Sequence, residues 1–159
     1  MVGIGGHAAS RRVVLVDLPV RLWDQARQLS DALLREFAFI VLEGRGDTEL
    51  ARRLLEIAAT SESNYANLNP DAELVVETAL AEGRSTVTVE VRVPLDFKDH
   101  VLAAVPVLME VDAYCARGDL LALATPPELQ AYWAWFLAEF VRQLSGMAPV
   151  PWTQLTVSG

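Results

Sequence analysis

The residue types that most often carry catalysis or bind metal ions are scarce in this sequence. It contains two histidines, His7 and His100, and one cysteine, Cys115. A catalytic triad or a histidine-rich metal site therefore has little material. The many carboxylates leave general acid catalysis open, although no pair is singled out by its spacing. The sequence predicts no catalytic residue, no metal and no cofactor, and we expect a protein that is not an enzyme.

One spacing could still bring metal-binding side chains together. Asp96, Asp99 and His100 stand at positions i, i+3 and i+4, which share one turn of a helix. Carboxylates at the start of a helix also satisfy free backbone amides and the helix dipole, and we favour this second interpretation. Cys115 has a cationic neighbour, Arg117, that could activate its thiol, but it follows an apolar helical pattern that favours a buried, inert cysteine.

The most informative segment is an aromatic helix near the end of the sequence. Thr125-Pro126-Pro127-Glu128 has the form of a capping box with proline at the first helical position, and Gly146 closes the helix. A spacing of about 100° per residue places an ordinary core stripe on one side and Trp135 on the other. The core stripe consists of Leu129, Trp133, Phe136, Phe140 and Leu144.

Trp135 is therefore either covered by a second layer of the same domain or part of a surface for a partner. Partner and dimer surfaces are enriched in tryptophan, tyrosine and arginine. The candidates for such an interface are Tyr132, Trp135, Glu139 and Arg142.

Two segments predict the strands that must support this helix. Residues 12–18 form a β-branched apolar run, and residues 86–94 alternate strictly between valine and polar side chains. Because an unpaired strand leaves backbone groups unsatisfied, we expect these two strands to pair, in a direction that the sequence does not give.

Helical spacing predicts four further helices. They cover residues 21–43 with Gly44 as the stop, a segment that starts after the N-cap Asp47, residues 70–82, and residues 97–117, where Pro106 predicts a kink or break. The residues expected to face the core are Leu74, Val75, Ala79 and Leu80 in the third of these helices and Val101, Leu102, Val105, Leu108, Met109 and Cys115 in the fourth. Residues 60–69 predict a loop, and residues 120–124 predict an extended segment and a candidate third strand. Residues 37–42 are apolar on every side, which predicts burial in the core or in a subunit interface.

Composition limits the class of partner. At 159 residues and 52% hydrophobic, the chain fits one domain, which we place at residues 11–159 after a flexible leader at residues 1–10. The formal charge of −8 disfavours nucleic acid and anionic membranes as partners. A single cysteine, no signal-peptide pattern and no long apolar run predict a cytoplasmic protein.

Several segments resemble a family of small actinobacterial proteins associated with stress-response and anti-sigma partner-switching systems. The resemblance is carried by residues 31–37 (DALLREF), 118–128 (GDLLALATPPE), 139–144 (EFVRQL) and 149–152 (PVPW). It implies a regulatory neighbourhood. The motifs of the kinase, antagonist and phosphatase components are missing, so it implies an accessory member.

These observations predict an α+β domain, mostly helical, with about five helices packed on one face of a small sheet. We expect a non-enzymatic regulatory module that binds another protein and forms a homodimer, because a small sheet exposes an edge. The alternative is a small-molecule sensor with an apolar pocket between helices and sheet. Its candidate lining residues are Tyr114, Trp133 and Phe136. An enzyme that uses acidic residues ranks last.

Overall fold

The structure, a computed structural model, describes residues 10–65, 68–118 and 120–153. Within these ranges the chain forms two strands and five α-helices in the order β1, α1, α2, α3, β2, α4, α5. This arrangement confirms the expected mostly helical α+β domain. The predicted leader lies outside the described residues except for Ser10, which begins β1.

The sheet consists of β1, Ser10–Pro19, and β2, Thr86–Pro94, which pair antiparallel. The register shifts between Leu15 and Leu18, where β1 contains one extra residue and Asp17 adopts a positive φ of 57°. The alternation predicted for β2 is confirmed, because its valines face the helices while Thr88, Glu90 and Arg92 are exposed.

An amide side chain caps each outer edge of this sheet at one residue. The Gln143 side chain accepts a hydrogen bond from the Val14 amide and donates one to the Val14 carbonyl, both at 2.8 Å. Asn69 makes the same pair of bonds, also 2.8 Å each, with the Arg92 backbone. These caps satisfy backbone groups that an added strand would otherwise use. They weaken the argument that an open sheet edge drives dimerisation.

Helices α1, Val20–Glu43, and α2, Thr48–Tyr65, follow β1. Gly44 ends α1 in the left-handed conformation, and Asp47 caps α2 by accepting a hydrogen bond from the Leu50 amide at 3.0 Å. The loop predicted from residue 60 onward is wrong in its first half, since α2 continues to Tyr65. Contacts with α4 override the polar composition there: Ser61 Oγ lies 2.7 Å from His100 Nε2.

Helix α3, Pro70–Ala81, begins where it was predicted and turns part of its predicted face inward. Ala79 is buried and Leu80 packs against the core as expected, together with the buried Val76, whereas Leu74 and Val75, which were also expected in the core, are exposed. Helix α4, Phe97–Ala116, continues across Pro106, so of the kink or break predicted there the break does not occur. Pro106 is exposed, so its ring faces solvent.

A short 3-10 turn, Leu121–Leu123, replaces the candidate third strand and leads to α5, Pro127–Leu144. The predicted capping box does not form, because Pro126 occupies the N-cap and the Thr125 amide donates to Asp112 Oδ1 at 2.7 Å. The predicted helix stop is confirmed. Gly146 has a φ of 93°, and the Met147 amide donates to the Arg142 carbonyl at 2.9 Å.

Two apolar clusters hold these elements together. The first lies beneath the sheet and joins it to α3, α5 and the first half of α1. The second joins the last half of α1 to α2 and α4 around Phe37. Phe39 and Leu42 are 51% and 79% exposed, so the apolar end of α1 is not buried all round within the protein. Its alternative place in a subunit interface stays a prediction.

Candidate functional site

Trp135, the centre of the predicted interface, lies inside the protein. Its side chain is 3% exposed, and its indole nitrogen donates a hydrogen bond to the Val150 carbonyl at 2.8 Å. Trp152 packs against it at a ring separation of 5.8 Å, so the C-terminal segment folds back onto the body of the domain. The chain itself supplies the layer that covers Trp135, so the first of its two predicted alternatives, cover by a second layer of the same domain, is the one that occurs.

The neighbouring candidates are buried with Trp135 and attach the C-terminal segment. Glu139, 2% exposed, accepts hydrogen bonds from the Val150 amide at 2.8 Å, Gln143 Nε2 at 3.0 Å and Arg142 Nη1 at 2.6 Å. Arg142 is half-buried and ion-paired. We call the buried side of α5 the tail face, which comprises Tyr132, Trp135, Glu139 and Gln143. Its polar groups are structural, because each fully buried one has a partner.

Two of the three candidate pocket residues lie at a cavity. This cavity, about 400 Å³ in volume, lies between the sheet and helices α1, α3 and α5, and its lining includes Trp133 and Phe136. Tyr114 lies elsewhere, in the second cluster, with its ring edge-on to Phe37 at 5.9 Å. The Tyr114 hydroxyl accepts a hydrogen bond from the Asp47 amide at 3.4 Å and lies against Gly46. Tyr114 therefore supports the α1–α2 turn, and its prediction as a pocket residue is wrong.

Tyr132 contributes a polar group to the wall of the cavity, which the polar side chains of Ser30 and Asn69 also line. The residue is 1% exposed and lines the cavity. Among the described residues no hydrogen bond reaches its hydroxyl, although every fully sealed side-chain nitrogen or oxygen there has a partner. The hydroxyl oxygen is therefore not fully enclosed by protein, and the space that Tyr132 lines is this cavity. Burial raises the pKa of Tyr132, so the phenol keeps its proton and can donate a hydrogen bond.

Charged side chains stand at the mouth of the cavity. The Arg27 guanidinium lies 4.6 Å above the Trp23 ring and donates to Asp24 at 2.9 Å and Glu77 at 3.1 Å. These contacts fix its position and neutralise its charge.

Two further carboxylates, Asp31 and Glu73, line the same mouth. Glu73 lies 3.9 Å from Arg27, and Asp31 makes no ion pair with any described residue. The mouth is therefore acidic on balance.

A larger space, about 810 Å³, lies between α1, α4 and α5, and we call it the groove. It is open to solvent, because Leu102 and Met109 on its α4 side are 50% and 68% exposed. The groove face of α5 is opposite in character to the tail face, since it is apolar apart from Gln130 at its start. It comprises Trp133, Ala134, Leu137, Ala138 and Val141. Sequence reasoning placed Leu102 and Met109 in the core and did not single out this groove.

Both helices that border the groove present a regular apolar stripe to it. On α4 the lining positions Val101, Leu102, Val105, Leu108 and Met109 repeat at spacings of i, i+1, i+4, i+7 and i+8. The groove face of α5 has the matching spacing of three and four. This is the pattern of helices that pack against a further helix. The signal was present in the sequence, but it is the same signal that ordinary core packing produces.

The remaining candidates for chemistry have structural partners. The Asp96 carboxylate accepts a hydrogen bond from the Tyr65 hydroxyl at 3.3 Å, and His100 packs against Tyr65 and Phe97. No group of three metal-binding side chains occurs among the described residues. Cys115 is fully buried, as expected, and burial together with Asp112 raises the pKa of its thiol.

None of the described helices is both long and apolar enough to cross a membrane. Comparison with known proteins gives no match to a family model, a curated protein or a solved structure. The candidate site therefore stands on its own geometry, which consists of an open apolar groove and a polar-anchored cavity on neighbouring sides of α5.

Proposed function

We propose that this chain is a non-enzymatic regulatory module that binds a partner protein, and that the partner inserts an amphipathic helix into the groove. The observation that carries this proposal is the pair of apolar stripes on α4 and α5 that face an unfilled space. An amphipathic helix placed there would bury both stripes and complete a four-helix arrangement with α1.

The length of the groove suits a short helix. Its α4 wall runs from Val101 to Ala113, a distance of about 18 Å at the helical rise. Its α5 wall runs from Gln130 to Val141, about 16 Å. A partner helix of about three turns would match both walls. Ala134 and Ala138 form a low floor at i and i+4, which lets a helix approach α5 closely.

Charge favours a basic helix among the possible occupants. The formal charge of the protein is −8, and Asp112 is the charged residue among the groove's described lining. A helix with leucine at i, i+3, i+4 and i+7 and with lysine elsewhere would fill the groove and be attracted by the acidic surface. The same charge opposes a second acidic copy of this chain.

The regulatory setting is proposed on the resemblance alone. A family associated with anti-sigma partner switching implies a cytoplasmic accessory protein whose partner belongs to such a system. Direct binding measurements against a sigma factor, its anti-sigma kinase and the kinase antagonist test this part. Binding to one of them through the groove would support the setting, and binding to none would remove it.

The groove itself can be tested with synthetic peptides of about 14 residues, three to four helical turns. One carries leucine at i, i+3, i+4 and i+7 with lysine at the remaining positions, and a second replaces the lysines by glutamates. We expect the basic peptide to bind the protein, and the double variant Leu102→Glu/Met109→Glu to weaken binding by at least about tenfold. Fluorescence anisotropy of labelled peptide measures both affinities.

Leu74→Glu provides a matched control. Leu74 is 59% exposed on α3, away from the groove, so the variant adds a charge at a comparably exposed leucine. It should bind the peptide as the wild type does. An equal loss of peptide affinity in Leu74→Glu and in Leu102→Glu/Met109→Glu would contradict the proposal. So would the failure of the basic peptide to bind the wild type.

The predicted homodimer is tested by light scattering on the same proteins. Two reasons for expecting a homodimer are weakened, because Trp135 is buried and amide side chains cap the sheet edges. The exposed Phe39 and Leu42 remain in its favour. A dimer that Leu102→Glu/Met109→Glu dissociates would place a second copy in the groove and displace the partner helix.

A small-molecule sensor is the second candidate function. It is favoured by a separate observation, the cavity beneath the sheet with the unpaired Tyr132 hydroxyl at its wall.

A further inference from the structure

We infer that the cavity beneath the sheet is a binding site for a small cyclic molecule that is mostly apolar, accepts one hydrogen bond from the Tyr132 hydroxyl and carries no negative charge. The inference does not depend on the groove or on its partner. It rests on the shape of the cavity, on the unpaired polar group in its wall and on the charges at its mouth.

The cavity has the size and walls of a ligand site. Its volume of about 400 Å³ lies within the range of pockets that hold small molecules. The sheet supplies Leu15 and Val89 on one side, and α5 supplies Trp133 and Phe136 on the other. A flat ring could lie between the aliphatic and the aromatic wall, where stacking and apolar burial would stabilise it.

The Tyr132 hydroxyl gives the site its specificity. A polar group that is removed from bulk water and left without a protein partner loses free energy, which a bound acceptor recovers. Tyr132 is 1% exposed and its hydroxyl reaches no described acceptor, so an acceptor atom on the ligand is the partner that the wall lacks. Ring contacts with Trp135 and Trp152 hold the phenol in place.

The mouth selects against anions. Arg27 is the cation there, and its charge is already engaged by Asp24 and Glu77. Asp31 and Glu73 add negative charge on the same rim. A carboxylate or phosphate that approached the cavity would meet net repulsion, whereas a neutral or cationic group would not.

Quinoline and naphthalene form a matched pair of probes for this site. The two molecules have nearly the same shape, but only quinoline has a ring nitrogen that accepts a hydrogen bond. We expect both to bind the full-length protein. Tyr132→Phe should weaken quinoline binding about fivefold, the loss of one net hydrogen bond, and leave naphthalene binding unchanged within about twofold. Calorimetric titration measures all four affinities.

Tyr132→Phe is suited to this test because it removes an atom that bonds to no described residue. Because the variant also removes an unpaired polar group, it should fold with at least wild-type stability at neutral pH, which circular dichroism and chemical denaturation verify. Equal effects of the substitution on quinoline and naphthalene would overturn the inference, as would the failure of both probes to bind.

A second pair of variants locates the probes. Ala72 lines the cavity from α3, so Ala72→Leu should reduce naphthalene affinity at least about tenfold by filling the space. Ala59, exposed on α2 and outside the cavity, gives the control Ala59→Leu, which should bind as the wild type does. Binding that survives Ala72→Leu would show that the probe occupies another place and would overturn the inference.

The charge preference is tested with 2-naphthoate and 2-naphthylmethylamine. We expect 2-naphthylmethylamine, an ammonium, to bind more tightly than 2-naphthoate, a carboxylate. The variant Asp31→Asn should reduce this difference in affinity because it removes a negative charge from the mouth of the cavity. The reverse order would overturn the stated ligand class. Because none of these titrations contains peptide, a failure here is distinguishable from a failure of the groove, which Leu102→Glu/Met109→Glu reports separately.

Discussion

The two faces of α5 differ in a way that reverses the usual relation between polarity and burial. The tail face carries Glu139 and Gln143 and is buried, while the groove face is apolar and partly open to solvent. A helix normally turns its apolar stripe to the core and its charges to water. In α5 the buried Glu139 and Gln143 hold structure together, Leu129, Phe140 and Leu144 join the core, and the apolar residues of the groove face are the ones left available for binding.

Complete pairing explains why the polar face is buried. Glu139 accepts from Val150, Gln143 and Arg142, and Gln143 also closes the edge of β1 at Val14. Since every fully buried polar atom of the described residues is satisfied, the desolvation of these groups is compensated. The network joins α5, the sheet edge and the C-terminal segment, which no apolar contact could do with the same directionality.

The largest effect should come from breaking this network at its centre. Glu139→Ala leaves a backbone amide and two side chains without their acceptor, and we expect it to lower the free energy of unfolding by about 3 kcal/mol. Urea denaturation measures the loss. Glu128→Ala is the matched control, because Glu128 is exposed on the same helix and its ion pair with Arg21 is 3.6 Å long. It should change stability by less than about 0.5 kcal/mol. Similar losses of unfolding free energy in Glu139→Ala and Glu128→Ala would show that the buried network contributes no more to stability than an exposed ion pair.

The two tryptophans of α5 allow a direct comparison of its faces. Trp135→Phe removes the hydrogen bond to the Val150 carbonyl, and we expect it to lower the free energy of unfolding by about 1.5 kcal/mol. Trp133 is half-buried on the groove face, so Trp133→Phe should lower it by less than about 1 kcal/mol.

The affinity for the basic peptide should be affected in the opposite order, more by Trp133→Phe than by Trp135→Phe. Trp133→Phe should weaken binding of the basic peptide because Trp133 lines the groove, and Trp135→Phe should leave the peptide affinity unchanged because Trp135 does not. Denaturation and anisotropy on the same two variants give both orders. A loss of peptide binding in Trp135→Phe alone would restore the docking role that its burial argues against.

Much of the fold follows from local patterns in the sequence. The β2 alternation, the N-cap Asp47 and the helix stops at Gly44 and Gly146 each reflect chemistry within a few residues, and each occurs as predicted. The pairing of the two strands also occurs as predicted, because an unpaired strand would leave its backbone groups unsatisfied. The errors arise where distant contacts decide, as at Ser61, where a contact with His100 accompanies the extension of α2.

The candidate site was less predictable for the same reason. Trp133 and Phe136 could be identified as pocket residues because aromatic side chains on a core-facing stripe border whatever space the core leaves. The burial of Trp135 depends on a segment about 15 residues later that folds back across it, and Leu102 and Met109 are exposed because no element among the described residues covers them. A periodic stripe indicates that a face will be covered and does not say by what.

The smallest predicted effect concerns the hydroxyl group of Tyr132, a residue that lines the cavity but not the groove. Tyr132 is on the tail face, and burial raises its pKa above the ordinary value of 10.0, so the folded state retains the phenol proton at a pH where the unfolded state releases it. Its contribution to stability is thus full below about pH 10 and is lost as pH rises toward the folded-state pKa.

Between about pH 9 and about pH 10.5 the free energy of unfolding of the wild type, measured by urea denaturation, should fall by about 0.8 kcal/mol more than that of Tyr132→Phe. Tyr65, whose pKa is also raised by burial and by Asp96, is present in both proteins and cancels in this difference. Identical pH profiles would mean that the Tyr132 hydroxyl already reaches water, and the cavity would then have no unsatisfied donor to offer a ligand.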